Sequence, residues 1–192
     1  MRRKRYCSTQ CTISKRNIIA YNNTSIKNIN YKGLIHLYNI LDISVYIINY
    51  CNKSYYYISN IKLQQILYFT QVAFLVIYNK ECFQEEIEAW DFGAVIPTIY
   101  KKFCKYANLN IPLIEEYIDT SNGVWNAYYK SFTWDIIPKH DIDLINDVIE
   151  TCEKHSTSEL LNIITNQQPW LNANKKIYDK TIQKQDLLNY FK

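Results

Sequence analysis

The sequence predicts a mainly α fold, a compact helical domain around one buried central helix, with a short strand or small β-hairpin as its minor β element. Three observations point there. Only three of the 192 residues are glycine, which disfavours folds built on Gly-rich phosphate loops or many tight hairpins. The stretch Ile61–Tyr78 is apolar on nearly every face, as expected of a helix wrapped by others. Downstream, Ser156-Thr157-Ser158-Glu159 forms a capping box, a helix start written in four residues. The length suits one domain of about 150 residues plus an extension.

Residues 1–30 are basic, rich in Asn, Ser and Thr, and without sustained periodicity; they read as a poorly ordered arm, with 31–192 as the folded domain. From Leu34 the pattern changes. Leu34, Leu37, Tyr38, Leu41, Val45 and Ile48 share one helical face, so Leu34–Cys51 is one helix or two, with Asp42 as a cap. Asn52–Tyr57 is a turn. Ser59 stands at the N-cap position of the central helix. Ile87-Glu88-Ala89-Trp90 alternates and reads as a strand, and Pro97 suits the first turn of a helix through about Tyr106. Asn110-Ile111-Pro112 breaks the chain before a short helix at Leu113–Ile118. Asn122-Gly123 is a hairpin-type turn, which makes a small β-hairpin plausible between Tyr117–Ile118 and Val124–Tyr129. Asp141 caps a helix to about Lys154, Ser156 starts another through Ile164, Pro169-Trp170 opens a short one, and Asp186–Phe191 closes the chain.

The charge divides unevenly. Residues 1–41 hold eight basic side chains and no acidic one, leaving 14 basic against 18 acidic, a net −4, for the rest. An acidic body is a poor nucleic-acid binder, because neutralising phosphates takes clustered Lys and Arg. It is a reasonable surface for a basic protein partner. Nucleic-acid binding of a regulatory kind is therefore an expectation for the arm alone. The 18 tyrosines invite a stacking role, but with so much Ile, Asn and Lys they read as core filling drawn from an AT-rich coding sequence. Six scattered cysteines without an apolar leader read as reduced thiols in a cytoplasmic protein. The apolar runs Leu34–Tyr50 and Ile66–Tyr78 are too polar or too short to span a bilayer and read as buried helices.

The inventory for catalysis is thin. His36, His140 and His155 have no Cys or His partner at metal-ligand spacing, and no phosphate loop, dinucleotide fingerprint or nucleophile elbow occurs. Cys7 and Cys11 lie four apart in the arm with no further ligands. Glu85-Glu86-x-Glu88 and Asp141-x-Asp143 read as solvated or capping groups. The sequence therefore predicts no cofactor, no metal and no enzyme. Lys62, Gln64 and Gln65 stand out on the first turns of an otherwise apolar helix, where the amides either face solvent or need buried hydrogen-bond partners. Trp90 and Trp170 read as core; partly exposed, either would anchor a protein interface.

In order, Ile58-Ser59-Asn60-Ile61-Lys62-Leu63-Gln64-Gln65-Ile66-Leu67-Tyr68-Phe69, then Ile87-Glu88-Ala89-Trp90-Asp91-Phe92-Gly93-Ala94-Val95-Ile96-Pro97, then Ser156 through Thr165-Asn166 to Pro169-Trp170, resemble the Panacea family of antitoxin domains. This is the SocA-like group that includes phage-associated GepA-type proteins. The resemblance runs over about Ile40–Phe191. It implies a bacterial or phage protein that neutralises a co-encoded toxin, the product of an adjacent gene, by direct binding, with no cofactor or catalytic residue. By analogy Lys62, Gln64, Gln65 and Trp90 are candidate interface residues, and Gly93, Pro97 and Trp170 are structural. Gln65, Ala94 and Asn166 depart from the lysine, proline and histidine usual in the family.

Overall fold

The computed structural model describes residues 37–120 and 123–192. The basic arm 1–30, the Cys7/Cys11 pair and Leu34 therefore lie outside the described residues. Among the described residues are seven helices and two small antiparallel sheets: α1 (Ile40–Lys53), α2 (Asn60–Tyr78), β1 (Glu88–Trp90), β2 (Gly93–Val95), α3 (Pro97–Phe103), β3 (Glu116–Asp119), β4 (Tyr128–Ser131), α4 (Lys139–Glu153), α5 (Thr157–Thr165), α6 (Gln168–Asn174) and α7 (Lys184–Phe191). The fold is mainly α with minor β.

Helix α2 is the axis. It packs against α1, α3, α4, α5, α7 and β2, and every residue from Lys62 to Val76 is buried. By length and composition it would cross a membrane. Its position, enclosed by the other elements, is that of a core helix. Ser59 caps it as expected, accepting from the Lys62 amide at 3.3 Å. At its far end Asn79 adopts a left-handed conformation, φ 54°, a common way for a helix to stop. Thr70 donates back to the Ile66 carbonyl at 2.9 Å. Gln71 reaches out instead: its Oε1 accepts from the Cys82 and Phe83 amides at 2.9 and 3.2 Å, folding the following loop against the helix.

Helix α1 begins later than the periodicity suggested, at Ile40, and its cap is Asn39, whose side chain accepts from the Leu41 amide at 2.8 Å. Asp42 is not the cap. It sits in the first turn, where its carboxylate accepts from the Tyr117 hydroxyl and the Lys130 ammonium, each at 2.6 Å. Likewise Asp141 lies inside the first turn of α4, after Pro138, and accepts a short hydrogen bond from the Tyr38 hydroxyl. Both acids hold neighbouring elements in place at a helix end that favours negative charge.

The strand at Glu88–Trp90 has a partner to which the sequence reading assigned no element. Gly93–Val95 pairs with it antiparallel, Trp90 opposite Gly93. Gly93 holds φ +118°, a backbone conformation that calls for glycine, and a Cβ there would stand 3.3 Å from Leu161 Cδ1, close enough that Leu161 would have to shift. The C-terminal segment covers the other edge of β1: the Ala89 amide donates to the Lys180 carbonyl and the Ile182 amide to the Ile87 carbonyl. Pro97 opens α3 at its first position, and the chain continues through a 3₁₀ turn at Cys104–Tyr106.

The short helix expected at Leu113–Ile118 does not form. Glu116–Asp119 is a strand instead, because its burial alternates out, in, out, in, the period of a half-covered strand rather than a helix. It pairs with Tyr128–Ser131 in the register Glu116 to Ser131 and Ile118 to Tyr129, so a hairpin is present, but its second strand is Tyr128–Ser131 and not the expected Val124–Tyr129. Its connection is longer than a two-residue turn and contains a 3₁₀ turn at Val124–Asn126. The capping box forms as written: Ser156 Oγ accepts from the Glu159 amide and Glu159 Oε2 from the Ser156 amide. Trp170 is buried on α6, and Leu187 and Phe191 anchor α7.

Candidate functional site

The first turns of α2 carry the residues singled out in the sequence, and the fold draws them inward. Lys62 is 5% exposed; Gln64 and Gln65 are 1% exposed. Lys62 Nζ donates to the carbonyls of Cys152 at 2.9 Å and His155 at 2.7 Å, and lies 3.4 Å from Glu153 Oε1. That last distance is too long for a strong hydrogen bond, so the pairing with Glu153 is electrostatic. Burial pushes the Glu153 carboxyl above its usual range, while Lys62 pulls it back. One turn on, Gln65 Nε2 donates to the Thr157 carbonyl at 2.9 Å. Lys62 and Gln65, three apart and so neighbours on the helix surface, thus clasp the junction of α4 and α5. A buried ammonium at the carbonyl end of α4 also meets the negative pole of that helix.

The opposite face makes a second clasp. Gln64 Oε1 accepts from the Ile96 amide at 2.9 Å, its Nε2 donates to Asn60 Oδ1 at 3.2 Å, and Asn60 Nδ2 donates to the Tyr100 carbonyl at 2.9 Å. These bonds hold the β2–α3 corner that begins with Gly93 and turns at Pro97. The polar start of α2 is therefore a structural node joining two corners of the domain. The interface candidates Lys62, Gln64 and Gln65 are thus buried in the folded chain, and each donates to a group within it. The alternative of solvent-facing amides is also excluded. Gln65 Oε1 and Trp170 Nε1 are buried without a partner.

Trp90, the remaining interface candidate, is half-buried. Its ring meets Phe92 and Tyr100 at centroid distances of 5.4 Å, and its Nε1 donates to Glu88 Oε2 at 2.6 Å. It belongs to a small aromatic corner with one open side.

Among the described residues, several exposed apolar side chains lie on the β3–β4 hairpin, which the sequence reading did not single out as a site. Its inner face is polar and anchored. Tyr117 and Lys130 hold Asp42, while Asp119 accepts from Asn39 Nδ2 at 3.0 and 3.1 Å and from the Tyr128 hydroxyl at 3.3 Å. Burial and the neighbouring Asp42 carboxylate push the Tyr117 hydroxyl well above its ordinary range, so it stays a donor. On the outer face Ile118 pairs across the strands with Tyr129 and Glu116 with Ser131, and Tyr129, Val124 and Trp125 are 76%, 78% and 99% exposed. Beside the base, Trp134 packs edge-on to Tyr46 and Phe132 under the Lys53 ammonium, 4.7 Å from its ring centre. The signal available in the sequence was the aromatic density of Val124–Trp134, which the broken periodicity there masked.

No set of three or more His, Cys, Asp or Glu side chains is gathered among the described residues in a way that would hold a metal. Two open clefts of about 540 and 510 Å³ indent the surface. In the first, Glu81 and Lys184 pair at 2.5 Å; the second lies at the foot of the hairpin, lined by Glu85, Lys102 and Asp119 among others. A family model, described as antitoxin SocA-like, Panacea domain, matches residues 63–171, more than half of the chain. The chain belongs to this family. No curated protein and no solved structure matches it.

Proposed function

We propose that this chain is an antitoxin that neutralises a toxin encoded beside it by binding the toxin protein directly. One observation carries the reading, the family match over residues 63–171. The net −4 of residues 42–192 adds to it, since an acidic surface steers a basic protein partner. On this reading the complex forms in the cytoplasm and needs no cofactor, and the domain acts by occupying the toxin rather than by chemistry of its own.

Co-expression tests it. The product of the neighbouring reading frame should arrest growth alone, and this protein should restore growth and co-purify with it. A neighbour that is harmless alone, or that stays toxic while this protein accumulates in folded form, refutes the reading. The eight basic and no acidic residues of positions 1–41 favour a second reading, DNA contact by the arm in regulating its own operon. It predicts steeply salt-dependent binding that is lost when residues 1–30 are removed.

A further inference from the structure

We propose that the free edge of β4 takes up an extended strand of the toxin, turning the two-stranded hairpin into a three-stranded sheet. The inference rests on the direct-binding reading above and gives that contact a place and a backbone chemistry.

The pairing fixes where the backbone groups point. In an antiparallel ladder, residues that exchange hydrogen bonds alternate with residues whose N–H and C=O point the other way. The Phe132 amide donates to the Glu115 carbonyl at 2.8 Å. In the same register Tyr117 faces Lys130 and Asp119 faces Tyr128, so these pairs carry the hairpin's own bonds. The amides and carbonyls of Glu116 and Ile118 on β3, and of Tyr129 and Ser131 on β4, therefore point out of the hairpin.

The two edges differ in what meets them. Along β3 the chain closes its own edge. Asn49 of α1 donates to the Ile114 carbonyl at 2.7 Å and accepts from its amide at 2.8 Å, and Lys102 of α3 donates to the Ile118 carbonyl at 3.1 Å. Along β4 no group among the described residues meets the outward amides and carbonyls of Tyr129 and Ser131, and both residues are exposed. An inward-pointing lysine can guard such an edge. Here Lys130 is paired with Asp42 at 2.6 Å, so an added strand would not leave its charge without a partner. The other sheet shows the completed form: the C-terminal segment lies along β1, with the Ala89 amide on the Lys180 carbonyl and the Ile182 amide on the Ile87 carbonyl. Among the described residues β4 has no such third strand.

A row of outward N–H and C=O groups is matched by extended backbone, and that defines the occupant as a strand. A second copy can offer its own β4 only around a two-fold axis. The axis position that engages both Tyr129 and Ser131 within β4 pairs four residues with four. The 3₁₀ turn at Val124–Asn126 on one side and the turn closed by the Ile136 amide on the Thr133 carbonyl on the other keep that pairing from lengthening. Such a seam falls well short of the roughly 1,200 Å² that a stable interface buries. A strand of the toxin has no axis to satisfy, and the toxin body beyond it supplies further contact.

The experiment uses the full chain and, as probe, the purified product of the neighbouring reading frame. Deuterium exchange followed by NMR should find the Tyr129 and Ser131 amides fast in the free protein, with Tyr128 and Lys130 slow. Binding should slow Tyr129 and Ser131 by about 10-fold or more. S131P removes an outward donor and leaves the hairpin's own ladder whole. It should weaken the complex roughly 10-fold or more and abolish growth rescue at an unchanged melting temperature, while S131A binds as wild type. Unchanged exchange of both amides in the complex overturns the assignment and leaves direct binding intact; this measurement on the wild type stands whether or not S131P folds. Wild-type affinity of a folded S131P, or an equal loss in S131A, overturns it too. Failure of the wild-type chain to bind the probe refutes direct binding itself and the assignment with it. If the free chain sediments as a dimer that S131P dissolves, the edge belongs to a second copy and the proposal is overturned.

Discussion

Replacing Lys62 by methionine removes an ammonium and keeps most of the side-chain volume. The carbonyls of Cys152 and His155 then lose their Lys62 donor, and Glu153 loses its counter-charge 3.4 Å away. A buried acceptor left unsatisfied costs about 1–3 kcal/mol, and breaking a buried ion pair by removing one member costs about 3–5 kcal/mol. These overlap rather than add, so K62M should lose roughly 3–5 kcal/mol. For a domain of this size that is a fall in melting temperature of about 6–20 °C. Urea denaturation with an unchanged slope is the assay, since it separates stability from compactness.

The loss should also depend on pH. Burial already raises the Glu153 carboxyl, with Lys62 opposing, so without Lys62 its folded value rises further. A folded-state carboxyl raised above its unfolded value destabilises the fold once the pH exceeds that folded value, and does not below the unfolded one. The gap between K62M and wild type should therefore narrow as pH falls from 8 towards 5, and K62M/E153Q should recover part of the loss at pH 8. A K62M protein within about 1 kcal/mol of wild type would refute the structural role. So would one that loses toxin binding at an unchanged melting temperature, which would return Lys62 to the interface.

Gly93→Ala forces a non-glycine residue to φ +118° and brings a Cβ to 3.3 Å from Leu161; it should cost about 1–3 kcal/mol, read by the urea midpoint, and a neutral result would deny the corner its strain. In a C7S/C11S background one thiol, exposed Cys104, should react quickly with a disulfide reagent. Cys51, Cys82 and Cys152 should wait for unfolding, since burial pushes the Cys51 and Cys152 thiols to about 12; rapid labelling of Cys51 or Cys152 would contradict the packing of α1 against α4, and of Cys82 the folding of its loop against α2. The backbone amide of Ser156 holds the Glu159 carboxyl below its usual range. Its stabilising contribution is therefore present above the ordinary glutamate value and lost as pH falls through the depressed one. Wild type should exceed E159Q in thermal stability at pH 7 and converge with it in acid; a gap that persists in acid would show that the cap does not act through the charge.

Local chemistry written over a few residues was legible in advance. Ser59 and Ser156 cap helices because a hydroxyl needs only the next turn's amides to act, and Pro97 opens α3 because its missing N–H matches a position that needs none. The central helix was equally plain, since a segment apolar on every side has to be enclosed. The family, too, was readable from short motifs in a fixed order. What failed were assignments that depend on a distant partner. Asp42 and Asp141 look like caps, yet they answer to Tyr117, Lys130 and Tyr38, which are remote along the chain. Leu113–Ile118 has too few residues to show its period, and only the pairing with Tyr128–Ser131 made part of it a strand.

The polar start of α2 marks the boundary between the two kinds of knowledge. From the sequence, Lys62, Gln64 and Gln65 were polar residues on an apolar helix, and either exposure or burial satisfied what could be read there. The choice rested with groups near and far in the chain: the carbonyls of Cys152, His155 and Thr157, the Ile96 amide and the side chain of Asn60. Folding brought these within hydrogen-bond reach and turned a candidate grip into an internal clasp. The same tertiary arrangement left the hairpin aromatics without cover. The sequence by itself determined that the chain forms a helical domain of the Panacea family around α2; the fold decided which of its conspicuous residues hold the domain together and which face out. A hydrogen bond or a buried surface is made in space, and separation along the chain does not encode it.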